Sequence, residues 1–264
     1  MAALLWLNDL PLWESILVLV GGAIALSIIG TAVSGLFFGE QQLSLNNIVG
    51  GFKYLYISSV YASFLGFLLF GVYNRYDRTR ADVVGEVAEL TTLDRLAVAF
   101  PAATRIQLRD GLKEYARQVV EVEWPQLRDR STRTTMVSAL DTLDYTYAAV
   151  APATRKQQEV LKYSLRLLGE IRDTRGIRVL RSLGALQVLL WVVTLTGTAV
   201  AIVFPWAFGS PNINATMLMS ILSTLLMTSV VLVVLKLSYP FSGEYGISPT
   251  PYAAFIHEVS ARGS

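Results

Sequence analysis

The chain has 264 residues, of which 53% are hydrophobic and 16% are charged. Soluble domains usually carry about 25% charged residues, so this composition is typical of a membrane protein. The formal net charge of +2 gives no reason to expect nucleic acid as a partner. The sequence contains no cysteine, which excludes disulfides, thiolate catalysis and zinc–thiolate sites.

Four apolar runs are long enough to cross a hydrocarbon core of about 30 Å, which takes roughly 20 residues. They extend over Ile16 to Phe38, Tyr54 to Tyr73, Leu183 to Ala207 and Met217 to Leu237. We interpret them as helices, because a backbone in lipid must satisfy its own hydrogen bonds. The predicted fold is therefore all-α and polytopic. It consists of an interfacial segment, two spans, an inserted helical domain, two further spans and a tail, at 1–15, 16–74, 75–182, 183–237 and 238–264.

The basic residues predict the orientation. Of 22 Lys and Arg residues, 19 lie between Arg75 and Arg181, and several of them directly follow the second span or precede the third. The connections at 40–52 and 205–215 contain neither residue. Positive charge near span ends stays on the cytoplasmic side. We therefore expect a protein of the cell (inner) membrane whose termini and inserted domain are cytoplasmic.

Apolar spacing predicts helices over 81–100, 102–123 and 131–150 of the inserted domain. Prolines are expected to interrupt them, at Pro101, at Trp124-Pro125 and at Pro152. The next helix is expected to begin near Thr154 and to continue through Arg181 into the third span. A short helix is expected over 252–259 of the tail.

The sequence offers no set of residues for an enzyme, a metal or a cofactor. Its one histidine, His257, is expected on the surface. Glu86 and Glu89 are three residues apart and share a helix face. We expect that face to be solvated or to pair with Arg80 or Arg95.

The second span has one face that combines apolar residues with a cation at each end. At 3.6 residues per turn, this face carries Lys53, Ile57, Val60, Phe64, Phe67, Gly71, Arg75 and Arg78. Around a symmetry axis, such a face would form a hydrophobic constriction that gates by dewetting, and cations at its mouths favour anions. The alternative is that the aromatic residues pack in a core or face lipid, while the cations are ordinary interface residues.

Three short motifs resemble the bestrophin-like domain family. They are Asn47-Ile48-Val49-Gly50 before the second span, Glu123-Trp124-Pro125 in the inserted domain and Pro240-Phe241-Ser242-Gly243 after the last span. The resemblance extends from about Asn46 to Gly246. That family is similar to the bestrophins, which are pentameric chloride-permeable channels with four spans and a large helical domain between the second and third.

The run Ser63-Phe64-Leu65-Gly66-Phe67 resembles the part of the bestrophin second span that forms a hydrophobic neck. The resemblance implies a neck made by Val60, Phe64 and Phe67. Aligning Phe67 needs a one-residue deletion, so Leu68 is the alternative at this position. The Pro240-Phe241 motif is similar to the one before the calcium clasp of animal bestrophins, but a single following carboxylate, Glu244, does not make a calcium site.

We therefore predict an oligomeric ion channel in membrane lipid, with chloride as the favoured permeating ion. The resemblance implies a homo-oligomer, with a pentamer favoured over a tetramer. Three other functions stay open: a cation channel of the same architecture, a facilitative transporter, and a membrane scaffold or sensor. The absence of Asp, Glu or His in the middle of the spans argues against a proton- or sodium-coupled transporter.

Overall fold

The computed structural model describes residues 2–37, 47–130, 137–208 and 212–263, and the regular structure of these residues is helical. In chain order the helices are α1 (Ala2–Asp9), α2 (Leu12–Phe37), α3 (Asn47–Leu96), α4 (Ala102–Gln118), α5 (Trp124–Arg128), α6 (Val137–Ala148), α7 (Arg155–Ser182), α8 (Val188–Val203), α9 (Ile213–Ser238) and α10 (Thr250–Gly263). The predicted all-α class is confirmed.

The chain forms two compact units. The apolar unit consists of Met1–Arg75 and Ala185–Ser238, and the charged unit consists of Tyr76–Gly184 and Tyr239–Ser264. Among the described residues, four helical segments are long and apolar enough to cross a membrane: Leu12–Phe37, Asn47–Ala99, Val188–Ala207 and Ile213–Ser238. These segments overlap the four predicted apolar runs, but the third of them begins at Val188 and not at the predicted Leu183. The predicted end of the first run, Phe38, lies outside the described residues, as do most of the 40–52 connection, residues 209–211 of the 205–215 connection and the predicted start of the third inserted helix.

In the apolar unit, α9 packs against α2 and α8. Small hydroxyl residues occupy much of the interior between these helices, alongside large side chains such as Trp191 and Leu235. The hydroxyl residues include Ser27, Thr31, Thr194, Ser220, Thr224 and Thr228. Several of them donate to the carbonyl four residues earlier, as Thr228 does to Thr224 O at 2.7 Å. Small hydroxyl residues let helix backbones approach closely, and such internal bonds satisfy their polar groups.

A buried lysine attaches α1 to the end of α9. The Lys236 ammonium donates to three carbonyl oxygens at the end of α1 and just beyond it, Leu7 O at 3.3 Å, Asn8 O at 3.0 Å and Leu10 O at 2.7 Å. The last carbonyl groups of a helix lack partners within the helix, and the negative end of the helix dipole lies there. The contact therefore gives these carbonyl oxygens a donor and gives the buried ammonium three acceptors.

The charged unit has an ordinary hydrophobic core. Its central leucines come from the second part of α3 and from α4 and α6, and α7 and α10 close over them; the most buried are Leu90, Leu93, Leu108, Leu112 and Leu143. The helical spacing of these residues is what predicted the helices of the inserted domain.

One predicted boundary in the charged unit is wrong. Trp124-Pro125 does not interrupt the chain, because a π turn at Val119–Glu123 leads directly into α5. The proline falls in the first turn of α5, where an N–H needs no partner within the helix.

The expected continuous helix from Thr154 into the third span is also wrong. Helix α7 ends at Ser182, and Gly184 adopts a φ of +109°, which is accessible to glycine and strained for other residues. A Cβ at Gly184 would lie 2.8 Å from Cε1 of Tyr239, so the turn also requires the missing side chain. The next helix, α8, begins only at Val188.

Candidate functional site

The first part of α3 packs against the rest of the apolar unit through one face only. Tyr61, Leu65, Leu68 and Val72 are buried there, at intervals of three or four residues. At 100° per residue, the exposed side of this helix covers an arc of about 160°, from Leu55 round to Lys53. The helix therefore presents a wide surface that no other residue in the described part of the chain covers.

Tyr61 anchors α3 to α8. Its hydroxyl donates to Thr194 O at 2.6 Å and lies 2.6 Å from Thr198 Oγ1. Its ring lies over Gly197, where a Cβ would come within 2.2 Å of the ring carbon Cε2. Only glycine allows this approach, so the rotation of α3 about its axis is set by a polar bond and a matching gap.

The predicted pore face lies at one edge of the exposed arc. Its exposed members are Lys53, Val60, Phe67, Gly71 and, in the charged unit, Arg78; its half-buried members are Ile57, Phe64 and Arg75. Phe64 is half-buried because its ring stacks on Tyr61, with centroids 6.1 Å apart. The exposed fraction of Phe67 is 79% and that of Leu68 is 9%. Of the two alternatives at this position, Phe67 has the side chain outside the protomer.

A second stripe, which sequence reasoning did not single out, occupies the middle of the exposed arc. It carries Phe52, Tyr56, Ser59, Ser63 and Phe70. Phe67 and Phe70 are separated by about 60° on the helix surface. Ser59 and Ser63 each donate to the carbonyl four residues earlier, so their hydroxyls leave no unsatisfied polar group on this surface.

The charged unit contains a buried ion cluster that, with two tyrosines, joins five of its elements. Arg178 of α7 is 2% exposed, and its guanidinium donates to Glu86 of α3 and to Glu123 of the π turn. The distances from Arg178 Nε and Nη2 to Glu123 Oε1 are 2.9 and 2.6 Å. Arg175 holds the other oxygen of Glu123 at 2.7 Å. Both buried carboxylates are therefore paired.

Two tyrosines complete this cluster. Tyr115 donates to Glu86 Oε1 at 2.7 Å, and Arg178 Nη1 lies 2.6 Å from the hydroxyl of Tyr252 on α10. Burial and the Glu86 charge raise the pKa of Tyr115 well above its ordinary value. Burial opposes the charge of Arg178, but the acidic neighbours, Glu86 foremost, outweigh it and hold the pKa of Arg178 above its ordinary value.

This cluster corrects the expectation for Glu86. Glu86 is 1% exposed and pairs with Arg178, rather than being solvated or paired with Arg80 or Arg95. Sequence offers one signal for it: Arg178 lies seven residues after the buried Ile171, on the apolar face of α7. A charged residue at such a position needs a buried partner, but the sequence does not say which.

Two of the motifs quoted for the resemblance meet in this unit. Trp124 donates through Nε1 to Ile247 O at 3.0 Å, and its ring packs edge-on against Phe241 at 5.4 Å. The chain after α9 is thereby held against the π turn. Within the described ranges, no group of three or more His, Asp or Glu residues is arranged to hold a metal ion. His257 is exposed on α10.

The comparisons with known proteins agree with this architecture. The model of the Bestrophin-like domain matches residues 21–252, and the chain therefore belongs to that family. Its fold is similar to that of a bacterial bestrophin homologue from Klebsiella pneumoniae, solved as a single-residue variant. The TM-score is 0.67 at 14% identity, over 91% of this chain and 95% of that one. No curated protein matches the chain.

Membership of this family, together with the apolar helices, suggests a membrane protein that acts as an ion channel. That membership is consistent with the expectation of no enzymatic activity.

Proposed function

We propose that the protein is an anion-permeable channel, built as a ring of identical subunits in the cell (inner) membrane. Its spans are the four apolar runs of the sequence, of which the second ends at Tyr73, and the charged unit and both termini are cytoplasmic. The observation that carries this proposal is the uncovered arc on α3, whose apolar middle begins one turn after the exposed Lys53.

The width of the arc supports a ring. A pore helix in a closed ring must face the axis and also touch its neighbours, and the symmetry makes every copy use the same surface. An arc of about 160° is wide enough for both contacts. The ring of the proposal is a pentamer, as the resemblance implies, and a tetramer is the alternative.

The proposed gate is a hydrophobic neck made by Val60, Phe64 and Phe67. These residues extend over about two turns of α3, or about 10 Å along the pore. Phe64 is held by its stacking on Tyr61, whereas Phe67 is exposed in the protomer. A narrow apolar tube of this length excludes water when closed. Ile57 and Gly71 extend the same face on either side.

The proposed selectivity comes from cations at the two mouths. Lys53 precedes the neck, and Arg75 and Arg78 follow it along the same helix. Rings of such residues attract anions and repel cations. Chloride is the favoured permeating ion.

The test is bilayer recording of the purified protein under a KCl gradient, with Phe67→Ala and Phe70→Ala as a matched pair. Both residues are exposed phenylalanines on α3, about 60° apart. We expect a wild-type current that reverses toward the chloride equilibrium potential. Phe67→Ala should raise the open probability several-fold, because a smaller ring wets more easily, and Phe70→Ala should not.

The outcomes separate the parts of the proposal. A current that reverses toward the potassium potential keeps the channel and removes the anion selectivity. An effect of Phe70→Ala in place of Phe67→Ala moves the pore axis to the middle stripe of the arc. Absence of any current across a range of pH would reject the channel. For the outer mouth, Lys53→Glu should lower anion permeability most at low salt, since exposed charges are screened at high salt.

A further inference from the structure

A cavity of about 340 Å³ lies in the charged unit between α3 and the chain that leads into α10. Tyr76 and Arg80 line it from α3, and Ser248 and Thr250 line it from the other side. The Tyr76 hydroxyl donates to Tyr245 O at 2.8 Å, which ties the two walls together. The cavity is large enough for a small polyatomic anion together with part of the molecule that carries it.

The charge that faces this cavity is positive and has no counterion within the described part of the chain. Arg80 forms no ion pair with any residue described there, and no lining residue is a carboxylate. Asp77, one turn earlier on α3, is exposed and does not pair with it. By contrast, Asp82 of the same helix pairs with Arg181. The Arg80 guanidinium therefore has its donors available, whereas that of Arg181 does not.

The opposite wall offers hydroxyl donors. The Ser248 and Thr250 hydroxyl oxygens are 2.5 Å apart, and either can donate to the other. Ser248 Oγ also accepts from Thr250 N at 3.2 Å. One hydroxyl hydrogen serves the bond between them, so the other hydrogen can point into the cavity. An arginine fork opposite a hydroxyl donor is suited to an anion with several oxygens.

We propose that this cavity binds a phosphate group, with the Arg80 guanidinium and the Ser248–Thr250 hydroxyl pair as its donors. Two molecules could supply that group, an anionic lipid headgroup or a soluble phosphate compound. Arg80 follows Tyr73, the end of the proposed span, by seven residues, or about 10 Å along α3. That is close to the headgroup layer of a membrane, which extends several ångströms beyond the hydrocarbon. This placement rests on the proposed spans, whereas the chemistry of the cavity does not.

The experiment measures thermal unfolding of the full-length protein in neutral detergent by tryptophan fluorescence. One series adds sodium phosphate, with sodium chloride at matched ionic strength as its reference. The other adds dihexanoyl phosphatidylglycerol, with dihexanoyl phosphatidylcholine as its reference. Binding to the folded state raises Tm with ligand concentration, from which an apparent Kd follows.

The matched variants are Arg80→Gln and Arg155→Gln. Both arginines are exposed on helices of the charged unit, and Arg155 does not line this cavity. We expect Arg80→Gln to weaken binding by about tenfold or more, because it removes a charge-assisted fork, and Arg155→Gln to leave it unchanged. Arg80→Lys should retain part of the affinity, since it keeps the charge without the fork.

Stabilisation by inorganic phosphate identifies a site for soluble phosphate compounds, and stabilisation by phosphatidylglycerol alone identifies a lipid site. No stabilisation by either probe, or an equal loss in both variants, would overturn the proposal. Neither readout measures ion current. The phosphate-site proposal and the channel proposal can therefore be rejected independently of each other.

Discussion

The two units of this protein differ in which side chains they bury and which they expose. In the apolar unit, large side chains such as Trp13, Leu36 and Phe67 are exposed, and small hydroxyl residues such as Thr194 and Thr224 lie inside. In the charged unit the leucines are inside and most charges are outside. Moving a leucine side chain from lipid into a protein interior gains no hydrophobic free energy, so close helix approach and hydrogen bonds stabilise the apolar unit. Moving leucine from water into the interior is favourable, and the charged unit has an ordinary hydrophobic core.

Each unit nevertheless buries one cation. In the apolar unit Lys236 donates to three backbone carbonyl oxygens, and in the charged unit Arg178 donates to two carboxylates. The first arrangement supplies a donor to acceptors at the end of a helix. The second brings two carboxylates inside with the arginine and makes all three depend on one another. The same kind of residue should therefore be much harder to remove from the charged unit.

The largest expected effect is that of Arg178→Met. It leaves Glu86 and Glu123 buried without their main partner, and breaking a buried pair from one side costs about 3–5 kcal/mol. We expect a loss of that size in the free energy of unfolding, measured by urea titration of the protein in detergent. The matched control is Arg172→Met on the same helix, whose bonds to Asp141 and Asp144 are exposed.

Exposed pairs contribute at most about 1 kcal/mol, so Arg172→Met should change the unfolding free energy by no more than that. Equal effects of the two variants would show that the buried cluster contributes no more than a surface pair.

The next effect is that of Lys236→Met, which keeps most of the side-chain volume and removes the ammonium. Three carbonyl oxygens lose their charged donor, although Ser15 Oγ still donates to Leu7 O at 3.0 Å, and a hydrogen bond to a charged group contributes about 1.5–3 kcal/mol. We expect faster hydrogen exchange in α1 (Ala2–Asp9), with little change in the charged unit. Lys162→Met, at an exposed lysine of α7, is the control. Unchanged exchange in α1 would mean that its attachment does not depend on the ammonium.

Local patterns predicted the helices well and their partners poorly. The apolar runs and the leucine spacing are properties of neighbouring residues, so both the apolar helices and the core of the charged unit could be predicted. Glu86 and Arg178 are 92 residues apart, and Lys236 and Leu7 are 229 apart. Nothing in a single sequence connects such pairs before the helices are packed.

The same limit applies to the candidate pore face. Periodicity predicted one face of α3 that includes Phe67, but the resemblance left Leu68 as the alternative, because aligning Phe67 needs a one-residue deletion. What fixes the rotation of α3 is the contact of Tyr61 with Thr194 and with the gap at Gly197. That contact depends on α8, and the sequence of α3 does not contain it.

A pH-dependent effect is expected at Glu89 of the charged unit, 16 residues beyond the end of the proposed span. Burial, with repulsion from Glu170 and Glu86, raises its pKa from 4.5 to about 7. Between these values the folded state binds more protons than the unfolded state, so stability should fall as pH rises from about 4.5 to 7. In Glu89→Gln the unfolding free energy should lack this part of its dependence on pH. Above pH 7 the variant should be more stable relative to the wild type than it is at pH 5. Parallel unfolding curves for the two proteins from pH 5 to 8 would contradict the assignment. The effect should be below that of Lys236→Met, because Glu89 is partly exposed.

The smallest expected effect is in the apolar unit, where Tyr61→Phe removes the hydroxyl but leaves the ring over Gly197. Hydrogen bonds between membrane helices contribute about 0.6 kcal/mol on average, because alternative partners exist within the membrane. We expect a loss of that order, and none for Tyr56→Phe, whose ring is exposed on the same helix. A loss of several kcal/mol would mean that polar bonds in the apolar unit matter as much as the buried ion cluster of the charged unit. The contrast between the two units would then lie in their surfaces alone, because both interiors would depend on polar contacts to a similar degree.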